Sequence, residues 1–275
     1  MDDATHHTIA ATAAILGPDD PLPFEILNPK SASPLVLHCD HAGTLVPQPL
    51  RNLGLTSEVL DKHVAVDIGA AGVTRGLAAR LNAVAVLARY SRLVIDANRA
   101  WGDPEAVPEV SDERAIPGNR GISIDGVLKR AHAISAPYHQ AIDGEIARLR
   151  RLGLNPIILS VHSFTPALMN QQFAKPRPWH IGVMFGRDER FARLLVTALR
   201  ANTGLVVGEN QPYSGVTHAY CLKIHGLAQG LPHAQIEVRQ DLICTPAGEW
   251  WWADLLAAAI RPILENEALK ESMHL

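Results

Sequence analysis

The sequence lacks several features that would place it in a familiar class of protein. No stretch of its 275 residues approaches the ~20 apolar residues that cross a bilayer, and no basic region precedes an apolar run at the N-terminus. The 25 Lys and Arg residues are scattered through a chain of net charge −3, so no basic surface for nucleic acid is expected. Internal repeats and low-complexity tracts are absent as well. These absences predict a cytoplasmic protein with neither a membrane nor a nucleic-acid partner.

Cysteine is also scarce, with Cys39, Cys221 and Cys244 as the three examples. Their number is odd and no pair has C-x-x-C spacing, which argues against a zinc ribbon and predicts reduced, mostly buried thiols. All three lie in or near apolar runs, where a thiolate is disfavoured. A hydrolase with a cysteine nucleophile is therefore a poor match to the sequence.

The residues that are present alternate between apolar strands and amphipathic helices. With 47% hydrophobic residues the chain can bury a large core, and such alternation predicts a parallel sheet covered on both faces. We expect an N-terminal arm over residues 1–33 and a single α/β domain over 34–275, with a mainly parallel mixed sheet sandwiched by helices. The predicted strands are 34–38, 83–87, 90–95, 155–161, 179–185, 205–207 and 234–242; the predicted helices are 57–66, 72–81, 127–152 with a break at Pro137, 188–201, and 249–264 with Trp250, Trp251 and Trp252 as packing residues.

Two histidines follow apolar strands that are distant in the sequence. His41 comes after the first long strand, and His162 comes after a strand in the second half of the chain. The carboxyl ends of parallel strands form the ligand-binding edge of α/β sheets, and neutral imidazole is the commonest metal ligand. A catalytic zinc ion needs three protein ligands and an open position, so a carboxylate must complete the set. Asp67, which ends an apolar stretch beside Gly69, is the first candidate, and Asp40 is the alternative.

Further polar residues at strand positions offer the remaining chemistry of a hydrolytic site. Glu237 lies between two apolar residues of a predicted strand, where burial would raise its pKa and suit it to proton transfer. A Glu on an edge strand that faces solvent is the alternative. Asn98 and Arg99 follow the predicted strand 90–95, and a guanidinium fork matches the two oxygens of a substrate carboxylate. An arginine in a structural salt bridge would give the same pattern.

Six short motifs in a fixed order carry a resemblance to a known family. They are His-Ala-Gly at 41–43, Asp-Ile-Gly at 67–69, Tyr-Ser-Arg-Leu-Val-Ile-Asp-Ala-Asn-Arg at 90–99, Pro-Tyr-His at 137–139, His-Ser-Phe at 162–164 and Ile-Glu-Val-Arg-Gln-Asp at 236–241. Together they resemble the N-formylglutamate amidohydrolase family, over about residues 34–260. That family is similar in turn to the zinc carboxypeptidases, so the resemblance implies a zinc-carboxypeptidase-like fold of the phosphorylase/hydrolase-like type.

The resemblance also implies roles for individual residues. The strand-end His-Ser-Tyr of the carboxypeptidases is similar to residues 162–164, and their Glu-Leu-Arg-Asp is similar to residues 237–241. One departure concerns the metal, because Thr44 stands where the carboxypeptidases have the Glu of a His-x-x-Glu pair, so that Asp67 must supply the third ligand. The implied roles are ligand of Zn²⁺ or another divalent metal for His41 and His162, general base for Glu237, carboxylate clamp for Asn98 and Arg99, and substrate contact for Arg239.

The reaction implied by the resemblance is metal-assisted hydrolysis of the amide in N-formyl-L-glutamate or a related N-acyl amino acid. Arg120, in a Gly-rich loop, is a candidate for stabilising the oxyanion, and Tyr213, Ser214 and His225 are candidates for lining the substrate pocket. The remaining histidines considered, His63, His132, His180, His218 and His233, are expected to be structural.

Two other classes of function remain open at the level of sequence. A degenerate homologue could keep the fold, lose the metal and act as a small-molecule binding protein. Alternatively, Ser163 beside His162 could be a nucleophile, but Ser163 lacks the G-x-S-x-G turn that exposes an activated serine. Oligomeric state and the preferred side chain of the substrate do not follow from the sequence.

Overall fold

The fold is built around one seven-stranded sheet. The computed structural model describes residues 14–168, 175–201, 204–271 and 273. Its strands are Phe24–Leu27 (β1), Leu35–Cys39 (β2), Val84–Ala88 (β3), Val110–Ser111 (β4), Arg114–Ala115 (β5), Ile157–Phe164 (β6), Ala167–Leu168 (β7), Lys175–Pro176 (β8), Ile181–Met184 (β9), Val207–Glu209 (β10) and His233–Arg239 (β11). Its α-helices are Ser57–Leu60 (α1), Ala70–Leu81 (α2), Ile124–Arg130 (α3), Ala136–Arg151 (α4), Arg190–Arg200 (α5) and Pro246–Ile260 (α6).

The large sheet has the strand order β1-β3-β2-β6-β11-β9-β10, and the pairs β4-β5 and β7-β8 form two small sheets. Strands β3, β2, β6 and β11 run parallel to one another, whereas β1, β9 and β10 run in the opposite direction. Every residue of β2 and β3 is buried, as expected for apolar parallel strands covered on both faces. The carboxyl ends of the four parallel strands consequently meet at one edge of the sheet.

Helices cover both faces of this sheet, which confirms the predicted architecture. On one face α2, α5 and α6 pack against side chains such as Leu37 and Ile236. On the other face Ile142 and Ile146 of α4 pack against Val36. This arrangement buries the alternate residues of each central strand in two separate apolar layers.

The segment 90–95 is not the strand that its apolar pattern predicts. It forms turns, in which the Ser91 amide donates to the Leu45 carbonyl and the Val94 amide donates to the Ser91 carbonyl. Its apolar side chains are buried in a third cluster, together with other side chains from the region 53–134. The apolar run therefore reflects a buried turn segment, which a short run does not distinguish from a strand.

The helices follow the sequence more closely. Helix α2 confirms the prediction for 72–81, whereas the helix predicted over 57–66 is limited to the single turn of α1. A π-helical turn over Ala131–Ser135 joins α3 to α4 just before Pro137, which has no amide hydrogen to donate. None of the helices in the described ranges has both the length and the apolar composition needed to cross a membrane.

Two findings concern the ends of the chain. Of the three tryptophans expected to pack in α6, Trp252 is buried, but Trp250 and Trp251 are 60% and 55% exposed. The prediction of packing is wrong for these two because they lie on the face of α6 that points to solvent. Within the predicted arm of residues 1–33, β1 pairs antiparallel with β3 and so forms an edge of the large sheet.

Candidate active site

Three of the predicted site residues lie at the carboxyl edge of the parallel strands. His41 follows β2, His162 lies near the end of β6, and Glu237 lies near the end of β11. His162 and Glu237 are register partners on adjacent parallel strands, so their side chains project from the same face. The sheet topology thus brings together three residues that are each at least 75 positions apart in the sequence.

The first group of side chains at this edge is the His41–Asp67–His162 cluster. One ligand atom from each residue lies within 4.8 Å of the others, and all three residues are buried. Nδ1 of His162 is 2.7 Å from Oδ2 of Asp67, and Nδ1 of His41 is 3.4 Å from the same oxygen. Two imidazole nitrogens and one carboxylate oxygen therefore converge, which is a donor set that zinc accepts.

The opposite nitrogen of each imidazole contacts a second carboxylate. Nε2 of His41 is 2.7 Å from Oδ1 of Asp96, and Nε2 of His162 is 3.0 Å from Oδ2 of Asp40. Metal-binding histidines characteristically hold their other ring nitrogen in this way, because the carboxylate fixes the tautomer and the ring orientation. Both rings are consequently oriented with Nδ1 towards Asp67.

Asp40, the alternative third ligand, lies on the far side of His162 from Asp67. Besides His162, it contacts Nδ1 of His38 at 2.8 Å and accepts a hydrogen bond from the Tyr138 hydroxyl at 2.7 Å. The geometry therefore favours Asp67 over Asp40 as the carboxylate that faces the two Nδ1 atoms.

The charges of the cluster fit a divalent cation. Burial disfavours protonated imidazole, but Asp96 and Asp67 raise the pKa of His41, and Asp40 and Asp67 raise the pKa of His162 well above its ordinary value. Although burial acts in the opposite direction, the imidazoles lower the pKa of Asp67. Nδ1 of His41 is also buried without a hydrogen bond among the described residues. The excess negative charge can be neutralised by protons on the imidazoles or by one metal dication.

Two glycines allow the turns that present these ligands. A Cβ atom at Gly43 would lie 1.9 Å from the Arg89 carbonyl oxygen, and a Cβ at Gly69 would lie 2.0 Å from the Ile243 carbonyl oxygen. Gly69 also has a φ of +77°, which favours glycine. Since the Asp67 amide donates to the His41 carbonyl, a shift in either turn would disturb both ligands.

Glu237 occupies an interior strand, so the alternative of a solvent-facing Glu on an edge strand is wrong. β11 lies between β6 and β9, and Glu237 is only 4% exposed. Burial raises its pKa from an ordinary 4.5 to about 7, and the Gln235 side-chain amide donates to its Oε1 at 2.8 Å. A carboxyl with such a pKa can both accept and return a proton near neutral pH.

Two adjoining cavities open beside the cluster. The Glu237 cavity, of about 440 Å³, is lined by His41, His162 and Glu237 among others. The Arg177 cavity, of about 420 Å³, is lined by Arg177 and Phe164 among others. The residues that line both are Asp67, Arg92, Asp96, Arg99, Ser163 and Tyr213. A substrate with two polar ends can therefore extend from the cluster into either cavity.

The predicted carboxylate clamp lines the Glu237 cavity, but both of its members have partners. Oδ1 of Asn98 accepts a hydrogen bond from the Cys221 amide at 2.9 Å. The Arg99 guanidinium pairs with Asp103 at 3.2 Å and with Glu105. Arg99 therefore combines the position expected of a substrate contact with the salt bridges of the structural alternative.

Arg92 is a cavity residue that the sequence reasoning missed. Its guanidinium is 2.7 Å from Asp96 and 3.6 Å from Asp67, and it lines both cavities. The apolar pattern of 90–95 predicts a strand, and a strand there gives Arg92 no relation to the site. The four-residue spacing of Arg92 and Asp96 was the available signal, since it allows an ion pair across a turn.

Three other predicted residues do not line the two cavities in the described part of the chain. Arg120 is an exposed loop residue, so its predicted contact with the reacting group is not supported. Ser214 accepts hydrogen bonds from Val216 and His218 within a local turn. Arg239 pairs with Asp241 at 2.8 Å. Ser214 and Arg239 thus have local partners, and Arg120 faces solvent, so the geometry does not support a substrate contact for any of the three.

Of the two remaining predicted pocket residues, one lines the cavities and the other does not. Tyr213 lines both cavities, whereas His225 is buried against His139 at 2.9 Å and is absent from the described lining of either cavity. Of the five histidines expected to be structural, His63 lines the Arg177 cavity and His218 lines the Glu237 cavity. Neither is next to a strand end, so the sequence pattern used for His41 did not detect them.

The chain is similar to known proteins over most of its length. A model of the N-formylglutamate amidohydrolase family matches residues 33–244. The Agrobacterium tumefaciens gene product Atu2144 is a solved structure with 31% sequence identity and a TM-score of 0.83, covering 91% of this chain and 100% of that one. The N-formylglutamate amidohydrolase from Ralstonia eutropha JMP134 has 21% identity and a TM-score of 0.68, covering 89% of this chain and 98% of that one. No curated protein sequence matches the chain.

Proposed function

Because the chain belongs to the N-formylglutamate amidohydrolase family, we propose that it hydrolyses N-formyl-L-glutamate, or a closely related N-acyl amino acid, with a bound zinc ion. The products are the free amino acid and formate or another small acid. The observation that carries this proposal is the position of the His41–Asp67–His162 cluster beside the buried Glu237 carboxyl, in one cavity.

The metal would be held by Nδ1 of His41, Nδ1 of His162 and a carboxylate oxygen of Asp67. When bound there, zinc supplies Lewis acidity that lowers the pKa of water and polarises the acyl oxygen, and another divalent metal could supply the same chemistry. Asp40 and Asp96 keep the two imidazoles oriented and make them stronger donors.

Glu237 moves the proton in the reaction. Its ionised carboxylate accepts a proton from the attacking water as the new carbon–oxygen bond forms. It then delivers this proton to the amide nitrogen as the carbon–nitrogen bond breaks, so that the amine leaves neutral. A pKa of about 7 suits both steps, because the group is readily ionised and readily reprotonated at neutral pH.

Arginine and asparagine side chains bind the negative groups of the substrate. Asn98 and Arg99 in the Glu237 cavity contact the α-carboxylate, and this contact aligns the scissile amide with the cluster. Arg92, and not Arg120, is the cation beside the reacting group, since it lines both cavities and lies beside Asp67. It stabilises the negative charge that develops on the acyl oxygen.

The proposal is tested by metal content and formate release. Purified wild-type protein is expected to contain about one zinc per chain and to release formate from N-formyl-L-glutamate. His41→Ala, His162→Ala and Asp67→Ala are expected to lose both properties, whereas His132→Ala is the matched control because His132 is exposed and outside the described cavity linings. Absence of metal after incubation with zinc, with substrate still bound, would support the alternative of a metal-free binding protein.

A further inference from the structure

Arg177 is a buried cation that the proposed reaction does not use. It is 8% exposed and lines the Arg177 cavity. Its Nη1 donates to the Thr165 carbonyl at 3.3 Å, to the Thr165 hydroxyl at 3.1 Å and to the Tyr213 hydroxyl at 3.2 Å. All of these acceptors are neutral oxygens, so within the described residues the positive charge is solvated by dipoles and not by an anion.

The other two arginines of the cavities differ from Arg177 in this respect. Arg92 pairs with Asp96, and Arg99 pairs with Asp103 and Glu105. Among the described residues that line the two cavities, Arg177 is the arginine without a carboxylate partner. Burying a charge without a counter-charge is costly, so such a site attracts an anion from solution.

The surroundings of Arg177 hold its guanidinium in a fixed position. The group lies 5.1 Å from the ring centroid of Tyr213 and 5.8 Å from that of Phe164. Arg239, itself held by Asp241, donates from Nη1 to the Arg177 carbonyl at 3.4 Å. A rigid, planar guanidinium is pre-organised for bidentate binding of a carboxylate.

Arg177 is also close to β6, the strand that carries His162. Phe164 is two residues beyond His162 on β6, and Ser163 between them lines both cavities. A substrate whose amide lies at the His41–Asp67–His162 cluster can therefore extend its side chain past Ser163 and Tyr213 towards Arg177.

We propose that Arg177 binds the side-chain carboxylate of the substrate and thereby selects N-acyl derivatives of acidic amino acids over neutral ones. This inference rests on the proposed function and deepens it, because it assigns the second of the two carboxylates of an N-acyl dicarboxylic amino acid. The α-carboxylate remains with Asn98 and Arg99, and Tyr213 orients Arg177. Arg239 is then a positioning residue, which acts through the Arg177 backbone.

The test compares N-formyl-L-glutamate with N-formyl-L-glutamine, which has the same shape without the side-chain charge. For the wild type we expect kcat/KM to favour the glutamate derivative by on the order of 100-fold. In Arg177→Met this ratio is expected to fall by at least tenfold, mainly through a higher KM for the glutamate derivative. Arg151→Met is the matched control, since Arg151 is exposed and outside the described cavity linings.

Several outcomes overturn the inference without touching the proposed function. Equal hydrolysis of both substrates by the wild type would do so, whatever the fate of any variant. An unchanged ratio in a folded Arg177→Met, or in Arg177→Gln if the first variant fails to fold, would do so as well. Circular dichroism and thermal unfolding establish whether each variant is folded.

Failure of the proposed function has a different signature, because no N-formyl amino acid is then hydrolysed by the wild type. The Arg177 site is in that case tested by calorimetric titration with glutarate, with binding at least tenfold weaker in Arg177→Met than in Arg151→Met as the supporting result. Equal binding by the two variants would contradict the inference.

Discussion

Two groups of buried histidines lie on either side of Asp40, and they differ in charge. One oxygen of Asp40 contacts His162 of the His41–Asp67–His162 cluster, and the other contacts His38. Beyond His38 lies the second group, His139–Cys221–His225, whose ligand atoms also lie within 4.8 Å of one another. Distance alone would therefore assign a metal to both groups, and also to the His38–Asp40–Cys221 set that lies between them.

The pKa values separate the two groups. Carboxylates raise the pKa values of His41 and His162, as described above. In the second group burial and the neighbouring His225 lower the pKa of His139 to about 4. Burial also lowers the pKa of His38, which lies between the two groups. Burial also raises the pKa of the Cys221 thiol, which makes the thiolate ligand less available. The charges therefore favour a dication at the His41–Asp67–His162 cluster over the His139–Cys221–His225 group.

The largest effect is expected from a substitution in the group that we propose binds the metal. Asp67→Asn removes the one carboxylate that faces both Nδ1 atoms, so metal affinity should fall by more than about 100-fold. His139→Gln, in the second group, should leave the metal content unchanged. Competition with a chromogenic zinc chelator measures both affinities. Equal loss of zinc in the two variants would place the metal outside the cluster or in both groups.

Glu237→Gln should have the next largest effect, because it removes the proton carrier and leaves the metal ligands intact. We expect kcat to fall by roughly 10³-fold with metal content unchanged. In the wild type, kcat/KM should rise with pH through about 7, since the base must lose its proton, and the variant should lack this rise. A pH–rate profile with both proteins makes the measurement. Full activity of the variant would exclude Glu237 as the base.

A smaller effect is expected from the carboxylates behind the imidazoles. Asp96→Asn keeps all three proposed ligands but weakens the orientation of His41, so metal affinity should fall by about 10- to 100-fold. The exposed Asp254, which pairs with Arg80, provides the control variant Asp254→Asn. The same chelator competition applies. An effect of Asp96→Asn as large as that of Asp67→Asn would mean that Asp96 is itself a ligand.

The smallest effect is expected in the second group, where the low pKa of His139 makes the free energy of unfolding depend on pH. The folded-state pKa of His139, about 4, lies below its ordinary 6.5, so unfolding takes up a proton and stability is lost as pH falls from about 6.5 towards 4. This loss should amount to roughly 1–3 kcal/mol, and it should be reduced in His139→Gln. Urea unfolding at a series of pH values measures it. An identical decline in the variant would show that His139 does not contribute.

The sequence predicts the central strands and the residues at their ends well. Apolar runs such as that of β2 are buried on both faces, so their periodicity and their abrupt polar ends are visible without a structure. The convergence of His41, His162 and Glu237 follows from parallel strands ending at one edge. Here local pattern and tertiary position coincide.

The sequence does not predict contacts that depend on the path of the chain between elements. The sequence leaves Asp40 open as an alternative to Asp67 for the third ligand, and only the tertiary path puts Asp40 behind His162. Arg92 lies in a turn and Arg177 in an irregular segment after β8, so neither has a periodic pattern, and the contacts that make them interesting come from residues far away in the sequence. Arg120 has the right chemistry in a loop that points to solvent, which composition does not reveal.

The two glycine turns have a consequence for the interpretation of related sequences. A homologue could retain His41, Asp67 and His162 and still be inactive if any side chain occupied the position of Gly43 or Gly69, because the Cβ would collide with a carbonyl oxygen 1.9 or 2.0 Å away. Such a chain would have all three ligand residues in its sequence but could not hold them in the positions that bind the metal. Inspection of these two positions therefore offers a simple way to recognise pseudoenzymes in genome surveys of this family.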